Sequence, residues 1–224
     1  MSVLWETERT EVMEAAKELA RLGLVAGPSG NVSRRLGKKE GKDLLAITPS
    51  QRPYSSLSPE DIIVVDFDGE PVEGDLVPSS ETMIHVHVYQ ARPDVHSVIH
   101  AHPVFGSVAA VAGLEIPPII DELVILVGGA VKVADYAFPG TENLAINTCK
   151  ALGEMKAVLL RNHGMVGVGD NLQEALDICQ LVERAAQIFV YSSLLGKVNL
   201  LPPEIVETEM ALYQMRQMAQ EEES

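Results

Sequence analysis

The stretch "PSSETMIHVHVYQARPDVHSVIHAHPVFGSVAA", Pro78 to Ala110, contains a helix start, a change of period and two histidine pairs of identical spacing. It opens on two serines and a glutamate and continues with Met83, Ile84, Val88 and Ala91 at helical spacing. "VHSVIHAH" is then a β-branched strand closed by Pro103, and the small-residue run "VFGSVAAVAG" reads as a second helix. Residues two apart on a strand point to one face, whereas the same spacing on a helix turns them about 200° apart. His100 and His102 therefore converge, while His85 and His87 diverge and read as surface or interface histidines of a helix.

Two imidazoles do not complete a zinc site, which takes three protein ligands when one position stays open for chemistry. "RNHGM" supplies the third candidate, His163, expected on another strand and followed by Gly164, where backbone or ligand can approach. Three loops rich in hydrogen-bond donors accompany the histidines. "GPSGNVS" offers Gly27 and Gly30 for left-handed backbone, the Asn31 amide and the Ser33 hydroxyl. "ITPS" adds Thr48 and Ser50, and "PSSE" places Ser79 and Ser80 where helix N-terminal amides point at an anion. Taken singly, the first is a hairpin-like loop and the last a helix cap with Glu81 in the first turn. Three such loops beside a histidine strand in one small domain weigh toward a site.

Outward from this centre, residues 6–23 form an amphipathic helix, with Val12, Ala15, Ala16, Leu19, Ala20 and Leu22 at helical spacing. "GPSGNVSRRL" and "KDLLAITPS" run into short strands, "DIIVVDFDGEPV" is a hairpin turning at Asp68-Gly69, and "KAVLLRNHGMVGVG" is a strand pair around a glycine turn. "NLQEALDICQLVERAAQIFVYSSLLG" keeps a 3.6-residue apolar period throughout. Helices bracket a strand-rich middle built of hairpins instead of regular βαβ units. The expected fold is α/β, a mixed, largely antiparallel central sheet between helical layers, in a single domain spanning residues 1–224.

Composition narrows the function. The chain has 224 residues, 46% of them hydrophobic, yet holds no long uncharged apolar run, and "MSVLWETERTEVMEAAKELARL" turns charged at once. Neither a membrane span nor a signal peptide is expected, so the expected location is cytoplasmic. Cys149 and Cys179 sit in helix-like segments and are expected as thiols, and "QEEES" reads as a solvated tail. With 32 acidic against 17 basic residues, a net charge of −15, a nucleic-acid surface is not expected. An anionic ligand would have to be held by local N–H groups, hydroxyls, a few bases or a metal.

Together these residues resemble the class II aldolase/adducin-head family, and within it the zinc-dependent L-fuculose-1-phosphate aldolases. The likeness is carried in order and spacing by "RLGLVAGPSGNVSRR", "ITPSQRPYSSLSPEDIIVVDFDG", the Pro78 to Ala110 stretch, "GTENLA" and "LLRNHGMVGVGDNLQEALDICQLVERAAQIF". The resemblance implies a three-layer sandwich assembled as a homotetramer with sites at subunit interfaces. It implies His100, His102 and His163 as ligands of one Zn2+ per subunit, with manganese, iron or cobalt as substitutes. Glu81 would be the acid/base, a role suited to a carboxylate whose pKa burial raises. Gly30, Asn31, Ser50, Ser79 and Ser80 would bind the phosphate of a small phosphorylated sugar. Three departures stand out. Ser50-Gln51 replaces a common Thr-Gly, Asp121-Glu122 stands where the fuculose enzymes have a tyrosine, and Phe138-Pro139 is shifted from an expected phenylalanine. Glu122 is therefore the second catalytic candidate, at the aldehyde end.

The implied reaction is reversible cleavage of a ketose 1-phosphate to dihydroxyacetone phosphate and an aldehyde. L-fuculose 1-phosphate or a related 5-deoxy or methylthio pentulose 1-phosphate is the expected substrate. Three alternatives come with the same resemblance. A methylthioribulose-1-phosphate dehydratase would carry a glutamate near position 122, and a pentulose-phosphate 4-epimerase tends to have aspartate where Glu81 stands. A non-catalytic adducin-like interaction domain would need neither the histidines nor Glu81.

Overall fold

Helix α1 (Glu6–Arg21) forms where the sequence has its first helical period, and Val12, Ala15, Ala16 and Leu19 are among the side chains it buries. The computed structural model describes the backbone of residues 5–223 and the side chains of residues 5–219. The expectations for residues 1–4 and for the solvated side chains of 220–224 lie outside the described residues, although the backbone of 220–223 continues the last helix. Strands β1 (Asn31–Lys39), β2 (Lys42–Ile47), β3 (Ile63–Asp66) and β4 (Pro71–Glu73) come first, then α2 (Thr82–Ala91), β5 (Ser97–Ala101) and α3 (Val104–Ala112). After β6 (Val133–Ala134) and α4 (Glu142–Leu152) follow the hairpin β7 (Ala157–Leu160) and β8 (Gly164–Gly169), α5 (Leu172–Leu194) and α6 (Pro203–Glu223). The strands make one eight-stranded sheet in the order β4-β3-β2-β1-β5-β8-β7-β6. Among the described residues only β6 and β7 pair in parallel, so the sheet is mixed and largely antiparallel, as expected.

The pleat sorts the core into two layers. Leu44, Ala46, Ile99, Ala101, Leu159 and Met165 pack with α1, α3 and α5 on one face. Leu45, Ile47, Val98, Val158, Leu160 and Val166 pack with α2 and α4 on the other. This is the period of two that a sheet buried on both sides demands. His100 shares the parity of Val98 and so emerges on the α2 face. The register Asn31↔His100 and Ser33↔Val98 places Asn31 and Ser33 on that face too, because residues directly opposite in an antiparallel pair share a side. Three polar residues thus enter an otherwise apolar layer, and α2 must supply partners for them.

One reading is corrected. His163 lies in the turn between β7 and β8, not on a strand; Asn162, in the left-handed region at φ 57°, reverses the chain just before it. The alternating apolar residues on both sides hide so short a turn. Leu123–Val127 forms a π-helical turn, and Ile116, Leu123, Val124 and Val127 are buried in the core. No helix among the described residues is long and apolar enough to cross a membrane, and Cys149 and Cys179 are free thiols.

Candidate active site

His100 is fully buried near the end of β5, and His102 stands just beyond the strand, its N–H donating to the Leu24 carbonyl at 2.9 Å. Glu183 of α5 accepts from the Phe105 and Gly106 N–H groups at 3.0 and 2.8 Å, fixing the helix that follows His102. His163 arrives from the β7–β8 turn. One ring nitrogen from each of the three lies within 4.8 Å of the others, and Nε2 of His100 and Nε2 of His102 are 2.8 Å apart. Gly164 makes room for this. A methyl group there would sit 2.4 Å from the Ala101 carbonyl oxygen and 2.6 Å from the His102 ring. Gly164→Ala is therefore expected to cost roughly 1–3 kcal/mol of stability and to loosen metal binding, measurable by thermal melting and metal analysis.

Nδ1 of His100 donates to the Met165 carbonyl at 2.8 Å, which turns its Nε2 toward the other rings. Burial, with the His100 and His163 charges, pushes His102 down to about 3; burial and His100 push His163 down to about 4. Both are neutral near pH 7, the form that ligates metal. Glu81 stands directly ahead of α2, its Oε2 3.3 Å from Nε2 of His100 and its Oε1 3.5 Å from Nε2 of His163. Burial opposes its ionisation, but His100, His163 and the Asn31 amide outweigh burial and hold its pKa down at about 2. The raised pKa expected from burial alone is thus reversed. Glu81 Oε1 and His163 Nδ1 are buried without a hydrogen-bond partner among the described residues. Three imidazoles beside an ionised carboxylate with an orphaned oxygen fit a divalent ion that accepts nitrogen ligands and keeps an open position.

The donor loops meet beside this cluster. The Ser79 N–H donates to the Thr48 carbonyl at 3.2 Å and the Ser50 N–H to the Val77 carbonyl at 2.9 Å. The Val32 N–H donates to the Thr48 hydroxyl at 3.2 Å, which ties the Gly30-Asn31 turn to the same edge. Gly30 has φ 76° and lies so close to β5 that a methyl group would be 2.6 Å from the His100 carbonyl oxygen. The Tyr54 hydroxyl, not anticipated from the sequence, donates to the Gly30 carbonyl at 2.6 Å. Glu81 occupies the N-cap position of α2 without capping it; its N–H donates to the Ser79 hydroxyl at 3.3 Å and its carboxylate turns to the histidines. Gln51, which replaces the common glycine, is left-handed at φ 56°. Gln51→Gly relieves that strain but frees the unfolded chain, so it is expected to leave stability unchanged or raise it by up to about 1 kcal/mol, read by chemical denaturation.

Residues 10–190 match the family described as "Class II Aldolase and Adducin N-terminal domain". The chain belongs to this family. It is 33% identical over 205 residues, 92% of this chain and 94% of the other, to a 5-deoxy-D-ribulose 1-phosphate aldolase of Bacillus thuringiensis serovar kurstaki. It is 36% identical over 180 residues, 80% of this chain and 81% of the other, to the L-fuculose phosphate aldolase of Escherichia coli K12. A solved L-fuculose 1-phosphate aldolase superposes with a TM-score of 0.86 at 35% identity, covering 93% of this chain and 96% of that one.

Within this class II aldolase chain, two polar residues lie elsewhere than expected. Ser33 is fully buried and bonded to His85 and Tyr89, not presented at the loop edge. His85 is not a surface histidine: it is wholly buried, with both ring nitrogens hydrogen bonded. The signal available in the sequence was "NVS", whose alternate polar residues on a central strand required buried partners. Asn31 spends its amide on Glu81, at 3.2 Å, and on His85, keeping one N–H in reserve. Glu122 is not brought to the histidines; it is half exposed ahead of the π-helical turn, 3.4 Å from Arg184.

Proposed function

We propose that this class II aldolase binds one divalent ion, zinc ahead of manganese, iron or cobalt, through His100, His102 and His163. We propose further that it reversibly cleaves a ketose 1-phosphate to dihydroxyacetone phosphate and an aldehyde. The observation that carries the reading is the Glu81 carboxylate, with an orphaned oxygen, lying 3.3 and 3.5 Å from ring nitrogens of two of three converging imidazoles. A bound divalent ion would supply Lewis acidity at the ketone and adjacent hydroxyl oxygens. Glu81 takes and returns the proton on the dihydroxyacetone side. The Gly30 backbone, Asn31, Ser50, Ser79 and Ser80 hold the phosphate, supported by the hydrogen bonds that bind their loops edge to edge. Glu122, exposed and held only loosely by Arg184, acts on the aldehyde half across a subunit boundary.

The substrate class is a 5-deoxy or methylthio pentulose 1-phosphate, or L-fuculose 1-phosphate. The first is favoured by the relative named for 5-deoxy-D-ribulose 1-phosphate, whose similarity extends over 92% of this chain. Residues 1–224 work as one domain, in the cytoplasm. The decisive experiment incubates the zinc-loaded protein with a panel of 1-phosphoketoses and identifies products by mass. Cleavage supports the reading; loss of water would favour the dehydratase, and an isomer of unchanged mass the epimerase.

A homotetramer is supported by exposed apolar side chains immediately after His102. Val104, Val108 and Val111 on α3, Leu114 just after it, and Tyr191, Leu194 and Leu195 at the end of α5 are all exposed. So much exposed apolar surface suits association between copies. Light scattering at micromolar concentration is expected to give the tetramer mass, and a stable, fully active monomer would contradict the shared site.

A further inference from the structure

Glu81 ends a row of buried, hydrogen-bonded side chains. Glu81, His85 and Tyr89 are spaced by four on one face of α2, while Asn31 and Ser33 are spaced by two on the facing side of β1. Four helical residues rise about 6 Å and two strand residues about 6.6 Å, so the two faces mesh residue by residue. Asn31 lies between Glu81 and His85, bonded to both, and Ser33 lies between His85 and Tyr89, its oxygen 2.6 Å from His85 Nδ1 and 2.7 Å from the Tyr89 oxygen. Asn31, Ser33, His85 and Tyr89 are all at most 2% exposed.

The protons in this row can be assigned. The Asn31 Nδ2 donates to Glu81 Oε2 at 3.2 Å, and its carbonyl oxygen therefore faces His85. His85 must then carry its proton on Nε2 and accept at Nδ1, from the Ser33 hydroxyl; the Ser33 oxygen in turn accepts from Tyr89. Every donor points toward Glu81. The far end is anchored by the Arg35 guanidinium, 4.9 Å above the Tyr89 ring.

We propose that His85, oriented by Ser33 and Tyr89, is a positioning residue that locks the Asn31 amide and through it the Glu81 carboxylate. The proposal rests on the reading of Glu81 as the acid/base. An asparagine amide is nearly symmetric in shape, and a flip would set its carbonyl oxygen against the carboxylate. The Nε2–H of His85 forbids the flip because it accommodates only an acceptor. Glu81 then stays in one rotamer beside His100 and His163, as proton transfer requires.

The test compares His85→Leu, which removes both bonds, with His85→Gln, whose amide can donate to Asn31 and accept from Ser33. In zinc-loaded protein, His85→Leu is expected to lower kcat for cleavage, and exchange of dihydroxyacetone phosphate protons with deuterated water, about 10- to 100-fold. KM should change less than about threefold, zinc content should hold, and His85→Gln should recover most of the loss. Val88→Ala, a cavity in the same helix at a fully buried position, serves as the destabilised control that keeps wild-type kcat. Nitrogen-15 NMR of the wild type, which depends on no variant folding, is expected to find His85 as the neutral Nε2–H tautomer from about pH 5 to about pH 8. The Nδ1–H tautomer or a cation, or wild-type exchange in His85→Leu, would overturn the proposal. A wild-type enzyme that exchanges no proton at all would instead refute the aldolase reading, while the tautomer would still report on the row.

Discussion

Glu81→Gln is expected to lower both ketose cleavage and the exchange of dihydroxyacetone phosphate protons with deuterated water by about 10³-fold or more. The substitution keeps the shape of a side chain that accepts from Asn31 at 3.2 Å and abuts His100 and His163, so folding is little affected. What it removes is the only carboxylate among the described residues that touches the histidine cluster. Glu122→Gln is expected to behave differently: exchange persists and cleavage falls, because deprotonating dihydroxyacetone phosphate needs no aldehyde. Exchange followed by NMR separates the two. If Glu81→Gln exchanged normally and Glu122→Gln did not, their roles would be reversed and the dehydratase reading would gain.

The second large effect concerns the metal. His102→Ala removes one of three ligands, and metal affinity is expected to drop by more than the about 100-fold that follows loss of a supporting hydrogen bond. Metal analysis after dialysis measures this, and undiminished metal would refute the ligand assignment. Burial and the neighbouring rings hold His102 and His163 down at about 3 and about 4, so neither ring has to lose a proton to bind the ion near neutral pH. The metal-free protein pays for this neutrality. Between their ordinary value of 6.5 and about 4 the unfolded chain binds protons that the folded one refuses, so its stability falls as pH drops through that window. Melting temperatures of the apo protein from about pH 7 to about pH 4 should decline accordingly.

Much of the site was legible because its cues are local. The β-branched run closed by Pro103 identifies a strand, and the pleat alone then brings His100 and His102 to one side. The serines before Glu81 mark where α2 begins. His163 was grouped with the right histidines but placed on the wrong element, because Asn162 makes a left-handed turn between two apolar strands that no pattern announces. Helix α6 escaped notice for the opposite reason. Of its described side chains only Glu209 and Tyr213 are buried, so it has no apolar stripe within this chain for a period to reveal.

The sequence by itself determined most of the strands and helices as far as α5, that His100 and His102 converge, and where the donor-rich loops fall, since each follows from the geometry of neighbouring residues. Only the tertiary structure decided that His85 is buried, that Glu81 turns from its helix to the histidines, and that its pKa lies at about 2 and is not raised. Those outcomes depend on the register Asn31↔His100, which sets polar residues of β1 against α2. The charge state of a buried carboxylate is the balance of desolvation against partners drawn from distant parts of the chain, and no local pattern carries that balance.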